Sequence, residues 1–131
     1  MKRPHVVAVV DDDPSLGKAL ARLLTALGHR VELFESSETF MSAIATLDAR
    51  CLLIDINLGN SSGLELAREL ADLGFAFPII FMTGSQDDAV RVECLNFGCI
   101  AFLHKPFTEE RLVEAIAMAS RPKVKLGSTS R

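Results

Sequence analysis

"CLLIDINLGNSSG", residues 51–63, sets four apolar residues in a row, Cys51 to Ile54, directly against an aspartate and then a loop rich in Asn, Gly and Ser. A continuous apolar run this short reads as a strand covered on both faces, the pattern of a parallel sheet. Asp55 stands where that strand ends. A single aspartate in such a place is most often a turn former or helix cap, because its short side chain bonds nearby amides. Whether it does more depends on what the rest of the chain brings to the same edge.

Working outward, four further runs share the character of residues 51–54: "HVVAVV" at 5–10, "VELF" at 31–34, "PIIFM" at 78–82 and "IAFL" at 100–103. They read as strands. Between them lie stretches with helical spacing, each with one apolar stripe: Leu16, Leu20, Leu23, Leu24 and Leu27; Phe40, Ile44 and Leu47; Leu66, Leu70 and Leu73. The helix ends carry their own signals. Asp13-Pro14 offers a capping oxygen followed by proline at the first helical position, with Gly28 as the stop. Ser62-Gly63-Leu64-Glu65 is a capping box closed by Gly74. A fourth helix, capped by Ser85 or Asp87, is expected to end at Gly98, and Thr108 caps a fifth with Glu109 and Glu110 in its first turn. Five strands alternating with five helices predict a doubly wound α/β domain, a parallel sheet with helices on both faces. Loops at the carboxyl ends of such strands form the binding crevice.

Composition narrows the function. The 131 residues, 49% of them hydrophobic, suffice for one core without disulfides or a structural metal. With 14 basic and 17 acidic residues the net charge is −3, too small and too mixed for direct binding of nucleic acid or a membrane surface. Trp and Tyr are absent, which removes most stacking platforms for single-stranded nucleic acid. No apolar run reaches the ~18–20 residues that span a bilayer, and the Met1-Lys2-Arg3-Pro4 start lacks a signal peptide's hydrophobic region, so a cytoplasmic location is expected. Cys51, Cys94 and Cys99 have no metal-type spacing and read as reduced packing residues; His5, His29 and His104 are scattered and read as structural or surface groups.

The residues that follow each strand form a set: Asp11, Asp12 and Asp13 after the first, Glu35 after the second, Asp55 after the third, Thr83 after the fourth and Lys105 after the fifth. If the first, third, fourth and fifth strands are neighbours, several carboxylates, a hydroxyl and an ammonium converge on one shallow site. Clustered carboxylates repel and raise one another's pKa, so fold stability alone does not ask for them. A hard divalent ion offsets that repulsion. Magnesium prefers oxygen ligands and is commonly held by one or two carboxylates together with a phosphate. Lys105 and Thr83 would then meet the oxygens of a phosphoryl group, and Asp55 is a candidate nucleophile that forms an acyl phosphate.

These motifs, "VVDDD" at 9–13, "LLIDINLGNSSG" at 52–63, "IIFMTG" at 79–84 and "FLHKPF" at 102–107, resemble in order and placement the receiver domain of bacterial two-component response regulators, of the FixJ-like and chemotaxis type. The resemblance covers roughly residues 5 to 119. It implies a flavodoxin-like fold with strand order 2-1-3-4-5. It also implies that Asp55 is phosphorylated in a Mg2+-dependent reaction, with Mn2+ as a substitute. Asp12 would be a direct metal ligand, Asp11 would act through metal-bound water, and the Asn57 backbone carbonyl would complete the protein's share; Asp13 falls outside the set. Thr83 and Lys105 would contact the phosphoryl group, Thr83 and Phe102 would form the switch, Lys105-Pro106 would be cis, and Asn57 and Ser85 would tune dephosphorylation. The implied partners are a sensor histidine kinase or phosphotransfer protein, an effector on the face formed by the fourth helix, fifth strand and fifth helix, and a phosphorylation-dependent second copy. Beyond self-phosphotransfer and autodephosphorylation, no enzymatic activity is implied.

Three positions depart from the family pattern. Gly59 stands where relatives often carry proline, which implies a more mobile loop, and Ala101 and His104 stand where many carry acidic residues, which implies a different partner surface. A rival assignment is a Mg-dependent haloacid-dehalogenase-like phosphatase with Asp11 as nucleophile, since Asp11-Asp12-Asp13 satisfies Asp-x-Asp. It leaves Asp55 without a task and has no room for a substrate-capping insertion. A flavin binder is disfavoured by the acidity of the first loop. Residues 1–119 are expected to form the receiver, and 120–131, "SRPKVKLGSTSR", to be a tail, linker or cloning remnant.

Overall fold

The computed structural model of the chain describes residues 6–84 and 99–120. Strands β1 (Val6–Val10), β2 (Arg30–Phe34), β3 (Cys51–Asp55), β4 (Ile79–Thr83) and β5 (Cys99–His104) form one sheet in the order β2-β1-β3-β4-β5, with every pairing parallel. The described helices are α1 (Pro14–Ala26), α2 (Ser37–Ala43), α3 (Gly63–Asp72) and α4 (Glu109–Ser120). The helix expected to end at Gly98 lies outside the described residues, as do its cap residues Ser85 and Asp87.

Alternation along the central strands produces two cores. Side chains of successive strand residues point to opposite faces. Val7, Val9, Leu53 and Met82 therefore meet Leu20 and Leu24 of α1 and Leu112 and Ile116 of α4 on one face. Val10, Leu52, Ile54 and Phe81 meet Phe40 of α2 and Leu66 and Leu70 of α3 on the other. All five residues of β3 and all five of β4 are buried, which is why residues 51–54 can be apolar without alternation. β2, at the edge, has no buried residue.

The local signals act as their chemistry requires. Asp13 Oδ1 accepts from the backbone N–H of Ser15 and Leu16, and Pro14 occupies the first turn of α1. Ser62 and Glu65 close the capping box of α3, and the Thr108 hydroxyl oxygen accepts from the Arg111 N–H at the start of α4. Gly28 and Gly74 follow α1 and α3 with φ of 97° and 88°. The second stripe behaves differently from expectation. α2 ends at Ala43, a 3-10 turn spans Ile44–Thr46, and Leu47 is extended. Tightening the last turn brings Ile44 and Leu47 onto the same core as Phe40 without a longer helix.

One close approach connects the fold to the site. The N–H of Gly63 donates to the Ile56 carbonyl at 2.7 Å. A Cβ added to Gly63 would lie 2.3 Å from the Asp55 carbonyl oxygen and 2.7 Å from Ile54 Cγ2. Only a bare Cα lets α3 start directly beneath the end of β3. Gly63→Ala is expected to lower stability by about 1–3 kcal/mol through overpacking. The check is a urea titration, in which the midpoint falls and the slope stays the same.

Candidate functional site

Backbone ladders carry the site residues to a common rim. Beyond the last paired residue of β1, the Asp11 N–H donates to the Phe34 carbonyl at 3.0 Å, and the Ile56 N–H donates to the Met82 carbonyl at 2.9 Å, holding Asp55 between paired neighbours. The Lys105 N–H donates to the Thr83 carbonyl at 2.7 Å. Asp55 is thus the last residue of β3, paired with Met82, and not a turn residue that follows the strand. Parallel strands in register end together, so Asp11, Asp55, Thr83 and Lys105 share one edge.

The side chains then converge. Lys105 Nζ donates to Asp55 Oδ2 at 2.5 Å and to Asp11 Oδ2 at 3.4 Å. The other oxygen of each carboxylate is also engaged: Asp11 Oδ1 accepts from the Asp13 N–H, and Asp55 Oδ1 from the Asn57 N–H, both at 2.9 Å. Asp11, Asp55 and Thr83 are buried, whereas Asp12 is exposed. Asp11, Asp12 and Asp55 each present an oxygen within 4.8 Å of the other two. Three hard oxygen donors at that separation suit Mg2+ or Mn2+, and they include no soft ligand that would favour zinc or copper.

Electrostatics follow from burial and from these contacts. Burial raises the Asp11 pKa more than the Asp13 N–H lowers it; Asp55 adds repulsion and Lys105 attraction, and the net result lies above the ordinary carboxylate value. Burial by itself would lower the Lys105 pKa. The hydrogen bond to Asp55 and the attraction of Asp55 and Asp11 outweigh it, so the ammonium is held above its ordinary value.

Phe102 is half-buried against the α2–α3 side of the sheet. By strand alternation Thr83 faces the same side, and Thr83 pairs with His104 while Phe102 pairs with Phe81. The Phe102 and His104 rings lie 5.6 Å apart at an interplanar angle of 52°. This neighbour of the aromatic position was missed in the sequence, although spacing of two along a strand signals it. The Lys105-Pro106 bond is cis, as the resemblance implied. Asn57 is exposed beside the site, and its side-chain Oδ1 accepts from the Gly59 N–H at 3.1 Å. Ser85 and Cys94 lie outside the described residues. Cys51 is buried, with its thiol pKa pushed up to about 12 by desolvation, which suits an inert packing residue.

A doubly wound parallel sheet whose carboxyl rim gathers three carboxylates around a lysine defines a flavodoxin-like α/β domain with an acidic, cation-ready site. The chain belongs to the response regulator receiver domain family, whose sequence profile matches residues 7–117. It is 40% identical over 114 residues to the response regulator protein TmoT of Ectopseudomonas mendocina, an alignment covering 87% of this chain and 52% of that protein. To the transcriptional regulatory protein FixJ of Rhizobium meliloti it is 35% identical over 116 residues, 88% of this chain and 57% of that one. The chain spans about half the length of these curated relatives. The crystal structure of FixJ-N superposes with a TM-score of 0.85 at 34% identity, covering 95% of this chain and 100% of that one.

The protein is therefore a receiver domain of two-component signal transduction. The phosphatase alternative is not supported. The match to the receiver family over residues 7–117 and the 35–40% identity to response regulators point away from it.

The pKa shifts set a pH dependence with a definite sign. Asp11 has a raised folded pKa, so its ionisation disfavours the folded state; the penalty is absent below the unfolded value near 3.8 and complete above the folded one. Lys105 has a raised folded pKa, so its contribution is complete below 10.5 and is lost only as pH rises through the folded value. Asp11→Asn is expected to raise the thermal unfolding midpoint at pH 7 in chelator-treated buffer, and the gain should vanish as pH falls below 3.8. Calorimetry across that range checks both the sign and the window.

Proposed function

We propose that Asp55 is the phosphoacceptor and that Lys105 is the cation that pairs with the incoming phosphoryl group. The observation that carries this is the Lys105 ammonium in hydrogen-bond reach of both Asp55 and Asp11 on the rim. A group already matched to oxyanions at that spot exchanges a carboxylate oxygen for a phosphoryl oxygen with little rearrangement. One Asp55 oxygen attacks phosphorus in line; the P–N bond of a partner's phosphohistidine breaks, a P–O bond to the carboxylate forms, and the imidazole leaves. Asp11 and Asp12, with Asp55 and the Asn57 carbonyl, are the residues that would hold Mg2+, or Mn2+ in its place. When bound, the ion supplies charge neutralisation for the phosphoryl oxygens.

The Thr83 hydroxyl then donates to the acyl phosphate, and movement of Thr83 frees space toward which Phe102 turns, since both lie on one side of the sheet in adjacent strands. Asn57 and Ser85 border the approach of hydrolytic water and set the lifetime of the phosphate. The donor is a sensor histidine kinase or phosphotransfer protein in the cytoplasm. The output partner, or a second copy of the chain, meets the surface that includes β5 and α4. Residues 1–119 act as the phosphoacceptor domain, with 120–131 as a tail or linker. The domain catalyses its own phosphotransfer and dephosphorylation and no other turnover.

Incubation of the whole chain with Mg2+ and acetyl phosphate is expected to add one acid-labile phosphoryl group, read by intact mass. Asp55→Asn should abolish it, Lys105→Ala should slow it about 10²-fold, and Cys94→Ser should leave it unchanged. Persistent labelling of Asp55→Asn would remove Asp55 from the role.

A further inference from the structure

The β3–α3 loop holds a glycine whose conformation and surroundings both point into the site. Gly59 has φ of +76°. Its N–H donates to Asn57 Oδ1 at 3.1 Å, and the Asn57 N–H donates in turn to Asp55 Oδ1 at 2.9 Å. Two successive side-chain-to-backbone links thus curl the loop back from Asp55. The curl turns the bare side of Gly59 toward the first loop, where an added Cβ would stand 3.0 Å from Asp12 Oδ2. That separation is tighter than ordinary van der Waals contact, so a side chain here would displace the Asp12 carboxylate or the loop.

We propose that Gly59 is a positioning residue for the cation site: its missing Cβ lets the loop close on Asp12, and its N–H holds the Asn57 side chain. Asp12 is the exposed member of the acidic trio, and its neighbours in the trio, Asp11 and Asp55, are each tied by backbone N–H and by Lys105. The loop at Gly59 is therefore the contact through which the chain adjusts the third carboxylate. With φ at +76° and an N–H given to Asn57, the loop as this chain builds it does not accept proline, whose φ is locked near −65° and which has no N–H. The inference rests on the cation site of the proposed function.

A glycine required merely for a left-handed turn is the competing explanation, and the fold contains its own controls. Gly28 and Gly74 have φ of +97° and +88°, and a Cβ added at either meets nothing within 4 Å. Alanine at those positions introduces backbone strain without touching the site. Mn2+ binding to the whole chain, followed by water-proton relaxation, separates the two. Gly59→Ala is expected to bind Mn2+ about tenfold more weakly than wild type, while Gly28→Ala and Gly74→Ala lower thermal stability and bind Mn2+ as wild type does. Gly59→Asn, which tolerates the left-handed backbone yet carries a Cβ, should match Gly59→Ala and serves if the alanine variant does not fold. Wild-type affinity in both Gly59 variants overturns the inference while leaving the phosphoacceptor proposal intact. Absence of Mn2+ binding to the wild-type chain overturns the cation site itself, and this inference with it.

Discussion

Lys105 carries one positive charge into a rim that holds two buried carboxylates. Its ammonium reaches Asp55 and Asp11 together, and without it those groups would face each other across a partly desolvated edge. Burial and repulsion both disfavour the charged form of Asp11, whose pKa is raised even with the lysine present. The rest of the site depends on that compensation. Three carboxylates with one lysine are held assembled but electrostatically unsaturated, which is the condition for accepting a further cation.

The parallel sheet makes the cluster possible. Residues 11, 55 and 105 are far apart in sequence, and they meet because β1, β3, β4 and β5 run in the same direction and end at one edge. Each functional residue sits within one position of a ladder hydrogen bond, so side-chain placement is inherited from backbone pairing. The loop between β3 and α3 is anchored at one end by Asn57 on Asp55 and at the other by the close seating of Gly63.

The two faces of the sheet carry different groups. One packs α1 and α4 over the central strands and lies on the side toward which Asp55 points by alternation. The other packs α2 and α3 and includes Thr83, Phe102 and His104 by the same rule. On β5, His104 sets a second ring beside Phe102.

Much of this was legible in the amino-acid order because it rests on local physics. Apolar runs of four to six residues mark strands, Asp13-Pro14 and the Ser62–Glu65 box mark helix starts, and Asp55 ends an apolar run; each of these needs only neighbours in the chain. The short α2 with its 3-10 extension was not legible, because apolar spacing does not distinguish a helix from a tightened turn that feeds the same core. Nor were the Lys105 bridge across two carboxylates, the Asn57–Gly59 link to the edge of Asp12, or the seating of Gly63 under Asp55. Local sequence determined which elements form and which chemical groups sit at their ends. Only the tertiary structure decided which of those groups touch, because distances between strand ends are set by sheet pairing and register, which join segments that do not adjoin in the chain.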